Sequence, residues 1–200
     1  MARYTGPKRR LSRREGLPLF AKDAKYLEKK GAIPPGQHGA RMRRRVSEYG
    51  LQLREKQKAK RFFGILEKQF KGYVVAASKV KGATGLSLMQ ALESRLDNVV
   101  FRLGFSKSRA GARQLVSHGH ILVLDKKIAI PSYKTKAGET IAISGKLRDN
   151  TQVKKSLEEF ESLPGWLDRK ATVGKVLRVP NRDEMEQSID EQLIVEYYSR

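Results

Sequence analysis

The chain has 200 residues, with 42 Lys plus Arg against 21 Asp plus Glu and a formal net charge of +21. Charge on that scale seeks a polyanion, and each phosphate met by Lys or Arg releases condensed counterions, so the composition predicts nucleic-acid binding that weakens steeply with salt. The absence of cysteine excludes a disulfide framework and a thiolate zinc site; no apolar run reaches the roughly 18 residues of a membrane span, and the N-terminus lacks a secretory apolar stretch, so a soluble, unexported chain with no metal and no cofactor is expected.

The charge is unevenly spread. Residues 1–60 hold 18 basic and 5 acidic side chains, a net +13, while residues 61–96 carry +4, residues 97–147 carry +6 and residues 148–200 carry −2. A polyanion should therefore lie against the N-terminal third. With 39% hydrophobic residues, the chain can bury two small cores, and two packed units are expected.

Residues 1–45 carry Arg9, Arg10, Arg13 and Arg14, then Arg41, Arg43, Arg44 and Arg45, separated by Ile33-Pro34-Pro35-Gly36-Gln37-His38-Gly39. Proline and glycine at that density favour an extended or turning path, so this segment reads as an extended basic arm that gains its order from a polyanion. From Ser47 the pattern turns helical, and Phe62, Leu66, Phe70 and Tyr73 recur at helical spacing as one core stripe. Arg54, Lys56 and Lys58 precede that stripe among polar positions and are candidate phosphate contacts.

Gly82-Ala83-Thr84-Gly85 reads as a linker, and Ser87-Leu88-Met89-Gln90 matches a capping box. Leu88, Leu92, Leu96, Val99, Val100 and Leu103 predict one helix over about 88–103, closed by Gly104 in the left-handed position and by Phe105 beyond it. A shorter helix follows, capped by Ser106 and ended at Gly119, with Arg109 and Arg113 four apart on one face near Lys107. Strands are expected over 121–124, 127–130 and 140–143, the first pair joined by a turn at Asp125-Lys126. Two helices followed by a small antiparallel meander make an α+β module.

The run Leu92-Glu93-Ser94-Arg95-Leu96-Asp97-Asn98-Val99-Val100-Phe101-Arg102-Leu103-Gly104-Phe105, continued by Arg109-Ala110 and Ala112-Arg113-Gln114-Leu115-Val116-Ser117-His118, closely resembles the RNA-binding module of the small-subunit ribosomal protein four family, the S-four family. Ile130-Pro131-Ser132-Tyr133, the Ile33-to-Gly39 loop, the run from Tyr49 to Lys58 and residues 189–200 carry the likeness across almost the whole chain. Similar modules are appended to pseudouridine synthases, some tyrosyl-tRNA synthetases and a small heat-shock protein that binds stalled ribosomes. Arg95-Leu96-Asp97 could mimic a synthase catalytic triplet, but the stripe places Asp97 inside a helix and no catalytic domain remains on either side.

The resemblance implies a primary binder of small-subunit ribosomal RNA at a multi-helix junction in its 5′ region, nucleating assembly of the subunit body. It further implies a role in decoding accuracy, contact with the neighbouring protein S-five and with messenger RNA where it enters, and residence on a cytoplasmic ribosome, an organellar one being left open. It implies a helical first domain over 46–86 completed by 176–200, and a module over 87–175 whose core is 87–147. Leu193, Val195 and Tyr197 alternate as a strand would. Many relatives hold a zinc ion with four cysteines near the N-terminus, so this chain resembles the metal-free branch. The turn is commonly Asn-Gly in relatives; Asp125-Lys126 predicts a longer or different turn, because Lys tolerates positive φ poorly.

Structured RNA hides its bases in a deep groove and is read through phosphates and 2′-hydroxyls, for which the planar arginine fork is suited. The candidate contacts are thus the arginines of the arm, the Arg54-Lys56-Lys58 group, and Lys107, Arg109 and Arg113. His118 and His120 lack a carboxylate cluster and read as packing or RNA-facing residues, and Trp166 as an apolar anchor.

Overall fold

The computed structural model describes residues 4–39, 41, 46–80, 82–148, 150–160 and 163–199. It divides into two units, residues 1–85 with 188–200 and residues 86–187.

In the first unit, the segment expected to run as an extended arm instead carries helix α1 (Lys8–Glu15), a 3-10 turn (Ala21–Asp23) and helix α2 (Ala24–Lys30). Pro7 precedes the first helical residue, where its fixed φ and missing N–H do no harm, and Gly16 at φ 73° ends the helix. Proline density forbids helix only where the prolines stand, and none falls inside residues 8–15 or 21–30.

Helix α3 (Glu48–Phe62) starts at Ser47, whose hydroxyl accepts from the Gly50 N–H at 3.2 Å. It stops because Gly64 adopts φ 65°, with the Ile65 N–H reaching back to the Lys60 carbonyl. The stripe expected on one helix is thereby divided: Phe62 ends α3, and Phe70 is buried on α4 (Glu67–Ser78). Leu193, Val195 and Tyr197, expected in a strand, lie in helix α10 (Glu191–Ser199), which lies against α3 and buries Ile194. The alternation of Leu193, Val195 and Tyr197 carries only three points, too few to outvote a helix with a partner face.

In the second unit, the helix expected over 88–103 is broken. Helix α5 spans Thr84–Glu93, so Thr84, Gly85 and Ser87 belong to it rather than to a linker and cap, and α6 spans Leu96–Arg102. At the break, Arg95 is extended (ψ 137°) and bridges Lys134. The Leu96 and Asp97 N–H groups donate to the Tyr133 and Pro131 carbonyls, and Thr135 N–H donates to Ser94 O. A neighbouring backbone thus satisfies groups that a continuous helix would have paired internally, and nothing in the apolar stripe records it. The far end follows expectation: Gly104 is left-handed at φ 76° and Phe105, 1% exposed, donates back to Val100 O.

Helix α7 (Arg109–Ser117) is capped by Ser108, two residues beyond the expected Ser106, with Gly111 N–H donating to its hydroxyl. The five-stranded antiparallel sheet runs β2 (Lys126–Lys127), β1 (Ile121–Val123), β3 (Thr140–Ile143), β5 (Val173–Val176), β4 (Leu167–Lys170) in spatial order. Leu124 and Asp125 take φ 47° and 62°, so the primed turn sits one residue earlier than Asp125-Lys126 and spares the lysine a positive φ. Helices α8 (Gly145–Arg148) and α9 (Thr151–Glu158) precede β4. Leu96, Val99, Val100, Leu103, Ala112 and Val116 of α6 and α7 share one core with Ile121, Val123, Ile141, Ile143, Val176 and Trp166. Trp166 is the apolar anchor expected, its indole N–H without a hydrogen-bond partner among the described residues. No described helix is long and apolar enough to cross a membrane.

Candidate nucleic-acid interface

Helix α1 divides its side chains. Arg10 and Arg14, one turn apart, are exposed and make no hydrogen bond or salt bridge among the described residues. Arg9 is 57% exposed, with its Nε 3.9 Å from Asp23 and its guanidinium 4.3 Å from the Tyr26 ring centre. Arg13 is half-buried and donates to the Ile33 and Pro34 carbonyls at 2.8 and 3.2 Å, tying the Pro-Gly loop to the helix. Arg41 is exposed beyond that loop, whereas Arg43, Arg44 and Arg45 lie outside the described residues.

Glu15, its carboxylate buried, accepts from Arg54 at 3.2 Å and from Arg61. Burial pushes the Glu15 carboxyl up and the Arg61 guanidinium down; in each case the partner's charge works against the shift without overcoming it. Lys58 pairs with Glu55 at 2.6 Å. Lys56, placed by sequence on a phosphate-binding face, is instead 5% exposed: its ammonium meets Glu67 at 2.9 Å and stands 4.4 Å from the Tyr197 ring centre. Burial would raise the Glu67 carboxyl, but hydrogen bonds from Lys56, Tyr198 and Lys60, with the Lys56 charge, hold it at about 2.

In the second unit Lys107 is exposed and pairs with Glu159, while Arg109 and Arg113 sit in a charged network around α6. Glu93 is fully buried and accepts from Asn98 Nδ2 at 2.5 Å and from Arg102 at 2.8 and 3.2 Å. Arg109 donates to Asn98 Oδ1 at 2.9 Å and stacks 4.4 Å from the Phe101 ring centre. Burial pulls Arg109 down to about 10, so it remains charged near neutrality; for Arg102 burial is the largest single influence and pulls down, but the charge and hydrogen bonds of Glu93 with the charge of Glu186 together raise it. Asp97 is held by Arg95 at 2.6 Å and lies 3.6 Å from Arg113. It stands in the first turn of α6, not mid-helix, and buried between two arginines it is no open catalytic carboxylate.

Sequence reasoning missed Glu93, Asn98 and Arg102 as partners of Arg109, because the helix break that brings them together is invisible in the stripe. It also missed a row across the outer sheet face, where cross-strand pairing lines up Lys127, Leu122, Ala142, Val173 and Lys170. Burial alternates along β5, but the residue types of Leu167–Lys170 and Val173–Val176 do not, so no local sequence signal marks those last strands. His118 and His120 have ring centres 6.1 Å apart, and among the described residues no group of three or more His, Cys, Asp or Glu could hold a metal ion.

A basic helical unit and an α+β module with arginines along its helices define the class of a nucleic-acid-binding scaffold. The Ribosomal protein S4/S9 N-terminal domain profile matches residues 3–93, and the S4 domain profile matches residues 94–141. Small ribosomal subunit protein uS4A of Symbiobacterium thermophilum is 52% identical over 208 residues, with all of both chains covered. Small ribosomal subunit protein uS4 of Dictyoglomus turgidum is 52% identical over 209 residues, and that of Akkermansia muciniphila 51% over 205, again with full coverage of both chains. The chain belongs to the small ribosomal subunit protein uS4 family.

Proposed function

We propose that this chain is a structural, non-enzymatic component of the small ribosomal subunit that binds ribosomal RNA through phosphates and 2′-hydroxyls. The observation that carries this reading is its identity of 52% along the whole length of a protein named for that subunit. The charge supports it: of the +21 total, most lies in residues 1–60, where Arg10 and Arg14 stand exposed on an anchored helix with Arg9, and Arg41 is also exposed. Arg109 and Arg113 offer a second group whose guanidinium planes are already oriented by Phe101, Asn98 and Asp97.

On this reading the protein attaches at a multi-helix junction in the 5′ region of the RNA and nucleates assembly of the subunit body. It adjoins S-five, borders the path of incoming messenger and influences decoding accuracy. Purification of small subunits at high salt tests it. A structural component stays at one copy per subunit; recovery mainly in the free pool would favour a dissociable factor using the same module.

A further inference from the structure

Helix α1 has 8 residues, well below the roughly 12–15 that hold a helix in water without help. Its position therefore depends on what its inner side chains touch. Ser12 is fully buried, and its hydroxyl donates to Asp23 Oδ2 at 2.5 Å, the short length of a charge-assisted bond. Asp23 is itself buried, at the end of the 3-10 turn that leads into α2. Its other oxygen faces Arg9 at 3.9 Å, and Arg9 stacks on Tyr26 of α2. Arg13 and Glu15 attach the same helix to the Pro34 loop and to α3. Arg10 and Arg14 are left outward and unpaired among the described residues.

An acid buried in the most basic third of the chain needs a reason. Had it no structural task, an anion there would only repel the RNA. The site does not fit the zinc ion that cysteine-bearing relatives imply: one carboxylate and one hydroxyl, with a guanidinium beside them, already hold the cation that the chain supplies.

We infer that Asp23 is the positioning residue of the RNA-binding N-terminal segment. Through Ser12 and Arg9 it closes a metal-free clasp between α1 and α2 and fixes Arg10 and Arg14 before RNA arrives. This rests on the RNA-binding reading above. The sign of a substitution separates positioning from simple charge: removal of an anion near RNA tightens binding, whereas opening a clasp weakens it.

The test uses the full chain and a transcript of the 5′ region of small-subunit ribosomal RNA, with binding measured over a series of salt concentrations. Asp23→Ala should weaken binding about tenfold, as expected when the competent arrangement falls to a tenth of the population, and leave the salt slope unchanged. Asp23→Asn, which keeps an oxygen for Ser12 but loses the charge, should fall between. Arg10→Ala, by contrast, should lower the slope by about one phosphate contact. Hydrogen exchange should accelerate in residues 8–30 of Asp23→Ala and stay unchanged in residues 96–123, and a chelator should leave the wild-type pattern untouched. Equal or tighter binding by Asp23→Ala, a slope that falls with affinity, or chelator-induced exchange would overturn the inference alone. A wild-type chain with no salt-dependent binding would overturn the RNA-binding reading and the inference together.

Discussion

Charged side chains do two kinds of work in this molecule, and burial separates them. Glu93 is fully enclosed, yet two nitrogens of Arg102 and the amide of Asn98 meet its carboxylate, and Asn98 passes the network on to Arg109. Glu93→Ala would leave a largely buried guanidinium unpaired, a change that typically costs about 3–5 kcal/mol. Urea unfolding of the variant should show a loss of that order; a loss below about 1 kcal/mol would mean that the network adds little to the module. Lys56 shows how far residue type alone misleads. In the sequence it is one lysine among several beside Arg54 and Lys58, whereas in the fold it is the buried cation under Tyr197. The aromatic partner lies 141 residues away in the chain, so no local pattern announces it. Arg10 and Arg14 share one face of α1, an arrangement that the extended path expected for residues 1–45 did not foresee.

Between elements, glycine positions were readable and backbone pairings were not. Gly104 marks a helix end because only glycine takes φ 76° there without strain, and an added Cβ would stand 2.8 Å from Phe160. The break at Arg95 has no such marker, since it is produced by the Pro131–Thr135 backbone docking on the α6 N-terminus. The same long-range logic governs Glu67, which joins three helices by accepting from Lys56 and Lys60 of α3 and Tyr198 of α10 at the start of α4. Its carboxyl sits at about 2 against an ordinary 4.5, so its contribution to stability is complete above pH 4.5 and fades as pH falls through about 2. The stability difference between wild type and Glu67→Gln should therefore shrink between those pH values. A difference that is constant across the range would show that the carboxylate is not held by these donors in solution.

For the whole molecule, net charge named the partner class, but only the division of the basic residues says how the charge is used. The α+β class, helix α7 and strands β1 and β3 were legible from periodicity and turn residues; the helix expected over 88–103 is broken at Arg95, the strand expected over 127–130 is only Lys126–Lys127, and β4 and β5 escaped because Leu167-Asp168-Arg169-Lys170 and Val173-Gly174-Lys175-Val176 are short and half charged. Much of the basic surface is internally committed: Arg13, Arg54, Lys56, Lys58 and Arg61 each hold part of the first unit together. What remains outward includes Arg10 and Arg14, which on the proposed function are the surface offered to RNA. The most direct measurement is the affinity of the full chain for a transcript of the 5′ region of small-subunit ribosomal RNA as salt rises from about 50 to 200 mM. Engagement of roughly 6–10 phosphates predicts a fall of about 10³ to 10⁵-fold, and an affinity that hardly changes over that interval would contradict the account.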